Sequence, residues 1–321
     1  MILDFRSDNT HRVSAEILDA IVRVNSGTMT SYGDDAVTER VRVLCSGIFE
    51  HDVAIFPVIS GTAGNALAIA AMTDASSLVL CHEDAHIVRD ELDAVGLFSG
   101  GARLVTFAGA RGKLDAASIA AYRGQRPSCL SLTQATEAGT VYTPDELRAL
   151  CAAGKALGCR VHLDGARFAN AVASLGVAPA ELTWRAGVDA LVLGATKNGA
   201  LGAEVIVVFD PSLSRNLATL WHRTGHRVSK MRFISAQLEA YLTNDLWLRN
   251  ARHANAMAQR LGAALEPVHP VQANVCFTRL AQPPSSVLCY DWPIFGPDVY
   301  RFVAAFDTTA EEVDGVIRAL Q

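Results

Sequence analysis

Residues 188–202 read VDALVLGATKNGALG, and the rest of the chain is best read outward from them. Ala190-Leu191-Val192-Leu193 has the length and composition of a strand buried on both faces. The run ends in small residues, delivers Lys197, and continues through further small residues and glycines. A lysine just beyond a buried strand, ringed by Gly, Ala, Thr and Asn, is expected in a pocket rather than on the surface. Desolvation favours its neutral amine, the nucleophilic form that a Schiff-base lysine uses. Only Lys113, Lys155, Lys197 and Lys230 compete for that task, because every other member of the 28 Lys+Arg is arginine. Lys113 follows glycine in a turn, Lys155 lies on an amphipathic helix, and Lys230 sits beside Arg232 in a helical connector. Lys197 alone follows a buried strand and is preceded by a strand-end Asp–Arg pair, Asp164 and Arg167.

Upstream, apolar runs at 53–59, 77–81, 103–107, 128–132 and 160–163 alternate with helical patterns, and 204–209 follows the lysine strand. Helices are predicted from Ser14 to Val24 and at 38–49, 66–72, 87–95, 115–122, 144–157 and 179–187. Alternating strands and helices predict an α/β fold, a mostly parallel sheet sandwiched by helices. After Asp210-Pro211 the pattern changes. Residues 212–248 and 251–265 are helix-rich, short strands follow at 275–280, 287–292 and 300–306, and a helix closes the chain at 309–320. This predicts a small α+β C-terminal domain with an antiparallel sheet. The expected division is an N-terminal arm at 1–14, a large domain at 15–235 and a small domain at 236–321.

Half of the 321 residues are hydrophobic and the net charge is −5, which suits a globular chain with no electrostatic footprint for nucleic acid. The seven cysteines are scattered, without CxxC or a His/Cys cluster, so they read as small hydrophobes in a reducing cytoplasm and no metal is expected. The N-terminal MILDFRSDN lacks the apolar core of a signal peptide, and no run reaches the roughly 20 residues of a membrane span.

Ligands of parallel sheets bind beyond the carboxyl ends of the strands. Here those ends carry Ser60-Gly61-Thr62, the His82 to His86 loop, the Thr133 to Glu137 loop, Asp164 to Arg167, and Lys197. Ser60-Gly61-Thr62-Ala63-Gly64 opens a helix and makes a phosphate cup from backbone N–H groups; a tight N-capped turn has the same sequence. Asp164 follows an apolar run and needs a cationic or N–H partner. Arg167 is the local candidate and a protonated heterocycle nitrogen, as in pyridoxal phosphate, the functional one. His86 suits stacking on a flat ring or proton transfer, His82 shares its loop, and Glu91 is placed to hold a water or act as a base.

The set RSDN, YGDD, SGTAGN, AHI, HLDGAR, TKNG and RFVAAFDT resembles the pyridoxal phosphate-dependent threonine aldolases, in the β-eliminating-lyase-like branch of fold-type I, along nearly the whole chain. The forms TQATE, TKNG and SKMRF are similar to the low-specificity L-threonine aldolases of bacteria. The resemblance implies that Lys197 binds the cofactor, Asp164 holds its ring nitrogen, His86 stacks on the ring, and Ser60, Gly61 and Thr62 take the phosphate. It implies that Arg167 reaches the ring oxygen or the substrate carboxylate, that Arg301 and Ser7 bind that carboxylate, and that Tyr32 and Arg232 come from a neighbouring subunit of a homodimer or homotetramer. Many members carry a histidine against the substrate hydroxyl where this chain has Gln134-Ala135-Thr136-Glu137, with Thr136 nearest that place.

The implied reaction is a reversible retro-aldol cleavage of L-threonine, L-allo-threonine and related β-hydroxy-α-amino acids to glycine and an aldehyde. His86, His82 or a water on Glu91 would serve as the base. Rival readings are another pyridoxal phosphate lyase acting by β-elimination, an aminotransferase, and a non-catalytic metabolite-binding α/β protein with a structural Lys197. A dinucleotide-binding dehydrogenase is disfavoured because no GxGxxG follows a strand.

Overall fold

A computed structural model of the chain describes residues 2–320. Its strands are β1 Leu3–Asp4, β2 Ala54–Val58, β3 Leu78–His82, β4 Arg103–Phe107, β5 Cys129–Thr133, β6 Arg160–Gly165, β7 Ala190–Gly194, β8 Glu204–Val208, β9 Val275–Arg279, β10 Val287–Leu288, β11 Tyr290–Asp291 and β12 Val299–Val303. Its α-helices are α1 Ala15–Val24, α2 Ala36–Phe49, α3 Gly61–Met72, α4 His86–Arg89, α5 Ala94–Ser99, α6 Ala116–Ala120, α7 Pro144–Ala156, α8 Phe168–Leu175, α9 Ser214–Arg223, α10 Arg232–Leu242, α11 Leu246–Ala264 and α12 Ala310–Leu320.

Seven strands form one sheet in the order β2-β8-β7-β6-β5-β3-β4. Strands β3 to β7 pair in parallel, while β8 runs antiparallel to both β7 and β2. The reversal has a simple cause. A parallel return needs a crossover of a dozen or more residues, usually a helix, and the connection from Gly194 to Glu204 holds only the single turn Thr196–Asn198. β3, β7 and β8 are buried along their whole length, as their near-continuous apolar sequences require. Pro57 is accommodated because β2 is an edge strand. Helix α3 lies close on β7: a Cβ built on Gly64 would come within 2.6 Å of Val192 Cγ1.

The predicted α/β class with a small antiparallel unit is what the chain adopts. β11, β12 and β9 form the three-stranded antiparallel sheet, and Phe302, Cys276, Leu261 and Val313 fill the core beside it. Packing crosses the expected limits. The arm does not stand apart: Leu3 and Phe5 join that small core, and β1 pairs with β10. The boundary at 235/236 falls inside α10, whose Ala236 packs with Ala20, Val24 and Val37 of α1 and α2. The change of core occurs along α11 instead, with Leu246, Trp247 and Ala251 in the large core and Leu261 in the small one. Met1 and Gln321, the outer ends of the expected arm and small domain, lie outside the described residues.

Local differences are few. The helix predicted at 87–95 is two helices, α4 and α5, separated where Leu92 and Asp93 take φ of 47° and 60°. The strand predicted at 287–292 divides between two sheets. Among the described residues no helix is long and apolar enough to cross a membrane.

Candidate active site

The carboxyl ends of β6 and β7, the loop after β2 and the start of α4 converge on one cavity of ≈ 210 Å³. Its wall includes Asn9, Ser60, Gly61, Thr62, Asn65, His86, Asp164, Thr196, Lys197 and Glu204. Six predicted site residues therefore share one space: Ser60, Gly61, Thr62, His86, Asp164 and Lys197.

Lys197 sits in the single turn after β7 and is half-buried. Among the described residues its Nζ has no hydrogen-bond or ion-pair partner. Lys113 is tied to Glu146 at 2.8 Å and Lys155 to Asp189 at 3.4 Å, while Lys230 is exposed. On the opposite wall Ser60 caps α3, its Oγ accepting from the Ala63 N–H at 3.3 Å. The Gly61 and Thr62 N–H groups belong to the first turn, where no intrahelical acceptor exists, and the helix dipole there favours an anion. A Cβ on Gly61 would meet nothing within 4 Å, so this glycine leaves open space rather than relieving a packing clash.

Asp164 ends β6, 3 % exposed. Its Oδ1 accepts the Ala166 N–H at 3.0 Å and its Oδ2 accepts Asn65 Nδ2 at 3.0 Å. The same Asn65 nitrogen donates to Glu91 Oε1 at 2.9 Å, and His86 Nδ1 meets that oxygen at 2.8 Å. One amide thus joins the Asp164 carboxylate to the His86–Glu91 pair. The hydrogen bond to Glu91 raises the His86 pKa above its ordinary value against the opposing effect of burial. The Glu91 side chain is completely buried. Glu91 is not among the residues that line the cavity and reaches it through His86 Nδ1.

Arg167 does not pair with Asp164. Its Nε and Nη2 donate to Asp8 Oδ2 and Oδ1 at 2.8 and 3.0 Å, and both side chains are buried. Burial opposes both charges, but the pairing prevails: the Arg167 pKa is raised and that of Asp8 lowered. Ser7, one residue earlier, is nearly buried and accepts the Asn9 N–H at 3.2 Å. Arg301, on β12, has no carboxylate partner among the described residues; its Nη2 donates to the Arg6 carbonyl at 3.3 Å. Burial, with the positive Arg167 nearby, lowers its pKa.

The remaining predicted residues are placed elsewhere. His82 is committed to backbone, accepting the Asp84 N–H at 3.0 Å on Nδ1 and reaching the Gly109 carbonyl from Nε2 at 3.1 Å. Thr136 is buried, and its hydroxyl is engaged with Thr140 Oγ1 at 2.8 Å. Tyr32, at φ 61° and exposed, and the half-buried Arg232 are not among the residues that line the cavity. The Tyr32 N–H donates to Ser229, and Arg232 Nη1 to the Gly27 carbonyl at 3.3 Å.

Residues 4–281 match the family described as beta-eliminating lyase. The chain belongs to the beta-eliminating lyase family. It is 40 % identical to the low specificity L-threonine aldolase of Pseudomonas aeruginosa, over 99 % of this chain and 96 % of that protein. It is 39 % identical to that of a Pseudomonas species, over 96 % and 94 %. Leishmania major threonine aldolase superposes with a TM-score of 0.91 at 25 % identity, covering 99 % of this chain and 98 % of that one. N-Succinyldiaminopimelate aminotransferase from Mycobacterium tuberculosis, at 17 % identity, shares the fold alone, with a TM-score of 0.74 over 99 % and 92 %.

Three contributors to this lyase-family site escaped the sequence reading. Asp8 lies in the quoted RSDN, but its partner is 159 positions away. Asn65 closes SGTAGN, and its side chain is 1 % exposed only because α3 packs against the sheet. Glu204 opens β8 and lines the cavity beside Lys197; its Oε2 accepts the Ala195 N–H at 3.0 Å, and burial pushes its carboxyl up to about 7. A lone acid heading an apolar strand was the available signal for Glu204.

Proposed function

We propose that the chain is a carbon–carbon lyase that uses pyridoxal phosphate to cleave L-threonine, L-allo-threonine and related β-hydroxy-α-amino acids to glycine and an aldehyde, reversibly. The observation that carries this is the convergence of a lysine with no partner among the described residues, a strand-end carboxylate, a helix N-terminus and a glutamate-bound histidine on one cavity, in a chain with close relatives named for that activity.

The donor set fits the cofactor. Asp164 keeps a carboxylate toward the cavity with only N–H donors around it, suited to a protonated ring nitrogen, and the first turn of α3 offers N–H groups to a phosphate. The chemistry such a group supplies is a sink for the electron pair left when a bond at the amino acid's α-carbon breaks. Lys197 would hold the cofactor through its aldehyde carbon, and Asp164 would keep the proton on the ring nitrogen. Ser60, Gly61 and Thr62 would bind its phosphate, and His86 would stand against its ring. Arg301 holds the substrate carboxylate, assisted by Ser7, while Arg167, fixed by Asp8, supplies positive potential beside it.

Of the three candidate bases, His86 is the one we assign to the substrate hydroxyl. Its Nε2 is uncommitted, whereas His82 has both ring nitrogens on backbone and Glu91 is buried behind His86. His86 Nε2 takes the hydroxyl proton as the Cα–Cβ bond breaks and the aldehyde leaves. We further propose a cytoplasmic homodimer or homotetramer in which Tyr32 and Arg232 complete a neighbouring site; that neither lines this chain's own cavity, and that Tyr32 is exposed, supports this.

Lys197→Ala is expected to abolish both the visible absorbance of the holoenzyme and glycine formation; retained turnover would sink the assignment. Product analysis separates the reactions. Glycine plus acetaldehyde from threonine supports the proposal, 2-oxobutanoate plus ammonia indicates β-elimination, and a keto acid formed only with an amino acceptor indicates transamination.

A further inference from the structure

Arg301 is half-buried, and its charge is met differently from that of the buried Arg167. Arg167 is neutralised by a two-pronged contact with Asp8, whereas Arg301 has no acidic partner among the described residues. Its Nε is buried without a hydrogen bond, and among the described residues the guanidinium makes one hydrogen bond, the long one to the Arg6 carbonyl. A desolvated cation left this way is costly unless something compensates its charge.

Aromatic faces do so here. The guanidinium carbon stands 4.3 Å from the ring centroid of Trp292 and 5.4 Å from that of Tyr290. The register explains why. Tyr290 on β11 is the direct cross-strand partner of Arg301 on β12, and the Trp292 N–H donates to Val299 at 2.7 Å. Phe277, fully buried on β9, lies 5.9 Å from the Trp292 ring and backs it from the core. Ring faces attract a guanidinium through their quadrupole, more strongly when water is excluded, and occupy none of its N–H donors. A carboxylate would neutralise the same charge but consume the fork that a ligand carboxylate requires.

We propose that Trp292 and Tyr290 are positioning residues for the substrate carboxylate: they seat Arg301 as a cation with its donor edge unspent. This rests on the proposed reading that Arg301 binds that carboxylate. The pairing of Trp292 with Val299 places the indole over the guanidinium.

The test uses the holoenzyme and two probes, glycine and 2-aminoethanol, which differ in the carboxylate. Binding is followed through the cofactor's absorbance. Trp292→Leu is expected to weaken glycine binding roughly tenfold and leave 2-aminoethanol binding within about twofold. Trp292→Phe, which keeps a ring face, is expected to restore glycine binding to within about threefold of wild type. For threonine the loss is expected in KM rather than kcat. Equal weakening of both probes would mean general damage and overturn the proposal, as would unchanged glycine binding in Trp292→Leu. Tyr290→Leu, at an exposed position, gives a second variant should Trp292→Leu misfold; it is expected to show a smaller loss confined to glycine, and no loss there would also overturn the proposal. Arg301→Gln separates the two ideas. If it weakens glycine binding while the aromatic variants do not, the seat is refuted and the carboxylate reading stands. If it leaves glycine binding unchanged, the carboxylate reading itself fails.

Discussion

The buried pair Asp8–Arg167 offers the sharpest test of how this site is held together. Asp8 accepts two guanidinium N–H groups at 2.8 and 3.0 Å and a third donor, Asn274 Nδ2, at 3.0 Å. The side chains are 1 % and 9 % exposed, so water cannot replace a lost partner. Asp8→Ala therefore leaves a buried cation uncompensated, for which about 3–5 kcal/mol is the usual loss. With an unfolding entropy of roughly 2 cal/mol/K per residue, that corresponds to a fall in Tm of roughly 5–8 °C. Calorimetry at pH 7.5 on cofactor-loaded protein reads it directly. The double variant Asp8→Leu/Arg167→Met, which removes both charges and fills similar volume, is expected to recover most of the loss. A loss below about 1 kcal/mol in Asp8→Ala, or a double variant no better than it, would refute the reasoning. The pH sign follows from the lowered Asp8 pKa. The stabilisation is complete above the carboxylate range of the unfolded chain and disappears as pH falls through the depressed folded value.

Further expectations concern His86, His162 and Gly64. Glu91→Gln keeps an acceptor for His86 Nδ1 but removes the negative charge that helps raise the His86 pKa, so the His86 imidazole resonance should titrate at lower pH and the alkaline rise in cleavage rate should move with it; an unmoved titration would contradict the pairing. In the wild type, the stability contributed by His86 is present below its unfolded pKa and lost as pH rises through the folded one. His162 shows the opposite sign. Burial pushes it down to about 4, so the native state should lose up to about 3 kcal/mol as pH falls from 6.5 through that value. His162→Gln should flatten this dependence in urea titrations at pH 7.5 and 4.5; parallel losses in the two proteins would argue against it. Gly64→Ala sets a methyl 2.6 Å from Val192 Cγ1 and should cost about 1–3 kcal/mol, partly restored by Val192→Ala; an unchanged Tm would show that α3 can shift away.

Much of the site was legible because its signals are local. A buried strand reads as an apolar run, and in a parallel sheet its carboxyl end is where ligands bind. Lys197 and Asp164 could therefore be placed at strand ends from β7 and β6 alone, and Ser60 to Thr62 ahead of the helix that opens behind them. The helix predicted at 87–95 was less readable because no glycine or proline marks its break; Leu92 and Asp93 take left-handed backbone instead.

What the sequence by itself determined is the α/β class, the order of the elements and the residues at strand ends. Periodicity and turn chemistry act over a few residues and need no knowledge of the rest of the chain. Only the tertiary structure decided which buried charge meets which. Asp164 was offered Arg167 three positions away, yet Arg167 is taken by Asp8, Asn65 bridges Asp164 to Glu91 across separate elements, and β8 reverses to carry Glu204 to the lysine. The physical reason is desolvation. A buried ion must find a partner wherever the fold brings one within hydrogen-bond reach, and that depends on packing rather than on distance along the chain.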